Sequence, residues 1–182
     1  MPEKRFSARR LAVDGMLIAL FFVLSLLSFE VAGVKVTFDA LAVVLAALLF
    51  GPGDAFLVGL LGAFLEQLLH YGLTPTTVLW ILPPALRGIL LGLLLRFLTK
   101  KCRGKGYPVG VFAASVVAGL FVTVGNTAAY YVDAKLFGYY SYALIFGVLL
   151  WRFVTGIGIS LVTAAAALPV SAALKRAGIG RS

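Results

Sequence analysis

Six apolar stretches follow one another along this chain, and most of its charged residues fall in the short gaps between them. That pattern leaves few folds open. A hydrocarbon layer about 30 Å thick is crossed by roughly 20 apolar residues wound as a helix, because only a helix or a closed barrel satisfies its backbone inside lipid. The stretches run from Leu11 to Phe29, Asp39 to Phe50, Ala55 to His70, Val78 to Leu98, Val109 to Val132 and Tyr140 to Leu174. The second is short for a full span. Hydrophobic residues make up 62% of the 182 positions, against roughly 45–50% in a soluble domain, so lipid must solvate much of the surface. The expected fold is an all-α membrane protein, a bundle of six transmembrane helices forming one domain over residues 1–182.

The gaps carry their own signals. Glu30 to Phe38 is amphipathic, Gly51-Pro52-Gly53 demands a tight turn, and Tyr71 to Thr77, Lys100 to Pro108 and Asp133 to Tyr139 read as loops. Pro83-Pro84 falls in the first half of the fourth helix, and Pro169 is placed to break or kink the end of the sixth. The basic N-terminus followed by an apolar run looks like a signal peptide, but no clean small-residue cleavage site follows, so it reads as a retained first helix. Lys4, Arg5, Arg9 and Arg10 precede helix one, Lys100, Lys101, Arg103 and Lys105 follow helix four, and Lys175, Arg176 and Arg181 follow helix six. An even number of spans puts these three clusters on one side, which the positive-inside rule makes cytoplasmic. Both termini are therefore expected in the cytoplasm, with the aromatic segment Phe137 to Tyr142 at the outer interface.

Several functions are excluded by what is missing. The net charge of +9 sits in loop clusters and not on a soluble basic face, so nucleic acid is not an expected partner. Cys102 is alone and reads as a reduced thiol in a cytoplasmic loop, and the single His70 cannot make a paired metal site, so no metal and no cofactor are expected. No Walker motif and no nucleophile with a histidine base occur, so the chain reads as neither an ATPase nor any other enzyme. The repeats typical of secondary transporters are not visible.

Charge inside a bilayer is costly and marks functional candidates. Glu66 in helix three, Arg87 in helix four and Arg152 in helix six stand out. The structural reading pairs Glu66 with one arginine as internal glue. Even then one cation remains, and an uncompensated cation in low dielectric calls for an anionic guest. Asp39 and Asp133 are expected at the outer interface, solvated by water. Helical spacing aligns Gly59, Ala63, Glu66 and His70 in helix three; Trp80, Pro84 and Arg87 in helix four; Gly119, Thr123, Asn126, Tyr130 and Asp133 in helix five; and Arg152, Thr155, Gly156, Ile159 and Thr163 in helix six. Lipid would not tolerate four such faces, so they should converge on an outward-opening cavity that suits a flat, polar, carboxylated molecule. With the adjoining loop, the candidate solute contacts are Glu66, His70, Tyr71, Thr76, Trp80, Arg87, Asn126, Tyr130 and Arg152. The plainer reading of the tyrosines is an interfacial belt. Small residues four apart, at Gly15 and Ala19, Gly88 and Gly92, and Gly110, Ala114 and Ala118, allow close helix approach; the pair on helix one is also free to face another subunit.

These residues resemble the substrate-binding S-component of energy-coupling factor (ECF) transporters, the vitamin importers of prokaryotes. Val13 to Ala19 is similar to the family's small-residue face on helix one, with Gly15 at its first position. Leu48-Leu49-Phe50-Gly51-Pro52-Gly53-Asp54-Ala55 is similar to the family's LLFGPxxGA turn, with Asp54 in place of the usual Gly. Gly59 to Gln67 and Leu73 to Gly92 resemble the segments that follow. The resemblance implies a multi-pass protein of a prokaryotic plasma membrane that captures a water-soluble vitamin at its outer face. Gating loops would close over it, here through Val34, Lys35, Thr74, Phe137 and Tyr139. Gly15 and Ala19 would dock on a transmembrane coupling protein carrying two ATPases. Asn126-Thr127 and Arg152 resemble the folate-type subgroup, although Leu149-Leu150-Trp151 stands where that subgroup has a proline pair; pantothenate or another carboxylated vitamin fits the same residues. The alternative is a stand-alone secondary transporter or channel for a small organic anion.

Overall fold

A computed structural model describes residues 8–31, 33–101 and 106–180. Cys102 and the basic residues Lys4, Arg5, Arg103, Lys105 and Arg181 lie outside the described residues. The elements in chain order are α1 (Ala8–Leu26), a hairpin of β1 (Phe29–Val31) and β2 (Val34–Val36), α2 (Ala40–Leu49), α3 (Pro52–Glu66) running into a π-helical turn (Gln67–Tyr71), α4 (Thr77–Lys101), α5 (Tyr107–Leu136), the short α6 (Tyr142–Phe146) and α7 (Leu149–Arg176).

The apolar side chains are distributed as lipid requires. On α4, Val78, Leu82, Leu86, Ile89, Leu93 and Phe97 are all exposed, one stripe at helical spacing. In water so large an apolar face would drive association; in a bilayer it is the solvated surface. Four helical segments are long and apolar enough to cross: Pro52–Tyr71, Thr77–Leu98, Tyr107–Leu136 and Tyr142–Arg176. The protein is thus an all-helical membrane bundle apart from its hairpin.

The first two predicted spans take different forms. α1 has 19 residues but includes Arg9, Arg10 and Asp14. α2 has only 10 residues, about 15 Å of helix at 1.5 Å per residue, half of what a crossing needs. It is instead the centre of the bundle, packed against α1, α3, α4 and α7, with every residue but Leu41 buried. A helix apolar on all sides belongs in such a place. The amphipathic stretch before it is an antiparallel hairpin, Phe29 opposite Val36 and Glu30 opposite Lys35.

Local chemistry sets several boundaries. Gly51 adopts φ 104°, a conformation closed to most side chains, and Pro52 opens α3 with its ring in the first turn, where no backbone donor is missed. α5 runs to Leu136, so the segment read as a loop from Asp133 is largely helical. The last predicted helix is interrupted near Gly147, giving α6 and α7, whereas Pro169 leaves α7 unbroken to Arg176.

Small residues hold α3 and α4 together. A Cβ on Gly59 would lie 2.5 Å from the Pro84 carbonyl oxygen, one on Gly92 would lie 2.5 Å from Pro52 Cα, and one on Gly88 would overlap the Ala55 backbone. Gly110, Ala114 and Ala118 on α5 are likewise buried. By contrast Gly15 faces open space and Ala19 is exposed one turn further along.

Candidate functional site

At the hairpin end the helices part around a cavity of about 770 Å³, within the size range of pockets that hold drug-sized ligands. Its walls are the polar stripes anticipated above. All five residues of the α5 stripe (Gly119, Thr123, Asn126, Tyr130, Asp133) and all three of the α4 stripe (Trp80, Pro84, Arg87) line it. From α7 come Arg152, Thr155, Gly156 and Ile159, while Thr163 lies deeper, buried in the packing. From α3 come Ala63 and Glu66. Gly59 is used instead against Pro84.

His70 is the one predicted solute contact outside the cavity; it is exposed, its ring 4.7 Å from that of Tyr71. The reason is the π turn. With i→i+5 bonding the helix widens by about one residue per turn, so Tyr71 takes the inward place that α-helical spacing assigns to His70. Thr76 lines the cavity and is buried. Of the five residues assigned to gating loops, Val34, Lys35, Thr74 and Phe137 border the cavity, while Tyr139 stands beside its mouth.

The ion pairing differs from the expected one. Glu66 bonds neither arginine; it accepts a hydrogen bond from Lys35 Nζ at 3.1 Å, and the same ammonium donates to the Tyr71 hydroxyl at 3.1 Å. This clasp ties the hairpin to the end of α3. Partial burial disfavours the Lys35 charge, but the bond to Tyr71 and the Glu66 carboxylate outweigh it, so its pKa is raised. Arg87 and Arg152 are therefore both left over. Arg87 is 7% exposed, and the Nε of each arginine is buried without a partner. Arg152 rests its guanidinium 4.9 Å from the Tyr130 ring centroid. Tyr130 in turn lies 6.2 Å from Trp80 and 6.1 Å from Tyr139, centroid to centroid, an aromatic wall beside the free cation.

Asp39 and Asp133, expected at the outer interface within reach of water, both line the cavity. Asp133 shares the α5 stripe with Asn126 and Tyr130, and that spacing was the signal for its place. It accepts hydrogen bonds from the Thr76 and Tyr139 hydroxyls, joining the two segments either side of the mouth. Burial and the Asp133 carboxylate push the Tyr139 hydroxyl pKa up, so it remains a donor. Asp39 starts α2 and accepts from Thr37 at 2.7 Å; nothing in the local sequence announces that the hairpin turns it inward. With Glu30 also lining the cavity, carboxylates (Glu30, Asp39, Glu66, Asp133) outnumber cations (Lys35, Arg87, Arg152). Counting is the wrong measure, however. Glu66, Asp39 and Asp133 each have a hydrogen-bond partner, whereas the two arginines have no hydrogen bond or ion pair among the described residues.

The fold and site define a class: a helical membrane protein with a polar, aromatic-walled cavity at one end of the bundle. Comparison with known proteins sharpens this. Residues 9–167 match the profile of the family described as "ECF transporter, substrate-specific component". The chain belongs to that family, whose members are binding subunits in transport. A solved structure described as "Structure and mechanism of the S component of a bacterial ECF transporter" has the same fold, with a TM-score of 0.64 and 24% identity over 92% of this chain and 98% of that one. No curated protein matches the chain.

Proposed function

We propose that this substrate-specific component captures a small carboxylated solute, a water-soluble vitamin of folate-like type, at the outer face of a prokaryotic plasma membrane. The observation that carries this reading is the pair of arginines, Arg87 and Arg152, each with a buried Nε that has no partner among the described residues, lining one cavity of about 770 Å³. Leaving a buried charge unpaired is unfavourable by several kcal/mol (on the order of 3–5) unless a counter-charge arrives. A carboxylate with a flat aromatic body satisfies both the arginines and the Trp80–Tyr130 wall. A cavity of this volume admits a guest of folate size. In this reading both termini are cytoplasmic and the hairpin lies outside, with α2 a core helix of the bundle and not a full crossing.

Import then requires a partner, because the chain holds no nucleotide-binding motif. Gly15 and Ala19 lie on an exposed, small-residue face of α1 where a coupling protein with its two ATPases can approach closely. Two measurements test the proposal. Mass spectrometry of the purified protein should find a retained carboxylated molecule, and recovery of a solute with no anionic group would refute it. Gly15→Leu should leave solute binding intact and abolish copurification with the coupling module; undiminished copurification removes Gly15 from the docking face.

A further inference from the structure

The end of the bundle that carries the termini holds a second hollow, which solute capture leaves unused. After Arg176 the chain turns back on itself. Gly178 and Gly180 take φ of 76° and 109°, a region that favours glycine. A Cβ on Gly180 would lie 3.0 Å from Leu49 Cδ2, at the end of α2. This returning segment and the first turns of α1 enclose a crevice of about 230 Å³. Its lining is apolar at Val13, Phe50 and Ile179 and cationic at Arg9 and Arg10.

The two arginines differ in what they already hold. Arg10 is bonded to Asp54 through Nε and Nη2. Arg9 is exposed; its Nη2 donates to the Ala177 carbonyl at 3.2 Å, and it has no ion pair among the described residues. That bond places its guanidinium at the end of α7, where Lys175 and Arg176 are also exposed and also without an ion pair among the described residues. The carboxylates of Asp14 and Asp54 are buried. The negative end of α7 would oppose an anion, but its own tail closes it. Gly178 N–H donates to the Lys175 carbonyl at 3.0 Å and Ile179 N–H to the Leu174 carbonyl at 2.8 Å. Depth follows from the neighbouring side chains. The exposed apolar residues of α1 begin at Leu11, directly after Arg10, and Val170 is exposed on α7 just before Lys175. Acyl chains solvate those side chains, so the crevice lies at the level of the headgroups.

We propose that this crevice binds one phospholipid of the adjoining leaflet by a net-anionic headgroup, as in phosphatidylglycerol. The phosphate takes the Arg9 guanidinium, in the field of Lys175 and Arg176, and the glycerol enters between Val13, Phe50 and Ile179. The volume is that of about eight waters at roughly 30 Å³ each, which suits a phosphate with its glycerol; the acyl chains stay outside, along Leu11. A zwitterionic headgroup brings an ammonium that the same cations repel. Basic pockets between helices at this depth recognise anionic headgroups in this way. Bound there, the lipid ties the start of α1 to the C-terminal turn, segments that Arg9 and Ala177 join across 168 residues of sequence. The proposal is independent of which solute fills the cavity at the hairpin end.

The test is native mass spectrometry of the full chain, released from micelles containing equal amounts of phosphatidylglycerol and phosphatidylcholine. The unaltered protein should retain phosphatidylglycerol about fivefold over phosphatidylcholine, and Arg9→Gln should bring that ratio close to parity. Ile179→Trp fills the crevice from the tail and leaves every charge in place. It should also lose the preference, which keeps the outcome decisive where Arg9→Gln disturbs α1. Arg96→Gln removes an exposed cation of α4 outside the crevice and should keep the full preference. Equal retention of the two lipids, a preference that survives in Ile179→Trp, or a loss in Arg96→Gln as large as in Arg9→Gln would mean diffuse surface charge and overturn the proposal. Displacement of the lipid by millimolar glycerol 3-phosphate would assign the crevice to a free phosphate and overturn it as well.

Discussion

The two ends of the bundle are built on opposite terms. At the end that carries the termini, helices meet through glycines and alanines, α2 is enclosed on all sides, and Arg10 bonds the Asp54 carboxylate through both Nε, at 2.7 Å, and Nη2. At the hairpin end the helices separate, and side-chain clasps replace backbone-close packing: Lys35 to Glu66 and Tyr71, Thr76 and Tyr139 to Asp133. Both ends hold buried polar atoms without partners, but they differ in kind. Near the termini these are the Ser115 hydroxyl and one oxygen of Asp14, enclosed by packing; at the cavity they are parts of two guanidinium groups beside open volume. The difference teaches where stability is made and where it is held in reserve. The tight end fixes the bundle, and the loose end leaves two cations without a partner among the described residues, as expected where stability is traded for function.

That contrast can be broken by substitution. Arg152→Ala should weaken solute binding by about 2–5 kcal/mol, the range for removing one partner of a buried charge pair, with no loss of thermal stability in the solute-free protein; unchanged affinity in calorimetry would remove Arg152 from the site. Gly88→Ala should lower stability by about 1–3 kcal/mol, because its methyl group meets the Ala55 backbone, which cannot swing aside. The control, Gly15→Ala, meets no atom within 4 Å and should leave the melting temperature unchanged or slightly higher. Equal effects of the two alanines would mean that the tight end is not where packing is made.

The cavity should respond in the reverse sense. Arg87→Met removes a buried, unpaired cation, so it should abolish tight binding yet raise the stability of the empty protein by about 0.5–2 kcal/mol; a fall in melting temperature would show that Arg87 supports the fold. Lys35→Met should change little, about 0.2–1 kcal/mol, as befits a partly exposed ion pair, and should appear mainly as faster solute release. Because the Lys35 pKa is raised, its contribution is complete below the unfolded value near 10.5 and is lost only as pH climbs through the higher folded value. On the Lys35 side the clasp should therefore be constant from neutrality to about pH 9, measurable as a flat dissociation rate on the alkaline limb.

Much of the site was legible because helical geometry repeats. Once α4 and α5 are taken as helices, Trp80, Pro84 and Arg87, and Thr123, Asn126, Tyr130 and Asp133, must each share a face. The cost of those residues in lipid turns the faces inward. The errors fall where that periodicity stops. His70 was misplaced because a π turn shifts the register by one residue, and apolar spacing gives no warning of it. The place of Asp39 on the cavity wall was not legible, because it follows a hairpin of two three-residue strands and belongs to no helical stripe. Glu66 was given the wrong partner because Lys35, 31 residues away in sequence, reaches it only after the hairpin folds over.

The chain by itself determined that it lives in lipid, that it belongs to an all-helical class, and which residues cannot face the bilayer, since hydropathy and helical period are properties of single segments. Only the tertiary structure decided that α2 is a buried core helix, that Asp39, Glu66 and Asp133 already have partners, and that Arg87 and Arg152 have none among the described residues. Partnership between charges depends on the distance between segments far apart in sequence, and no local pattern encodes that distance.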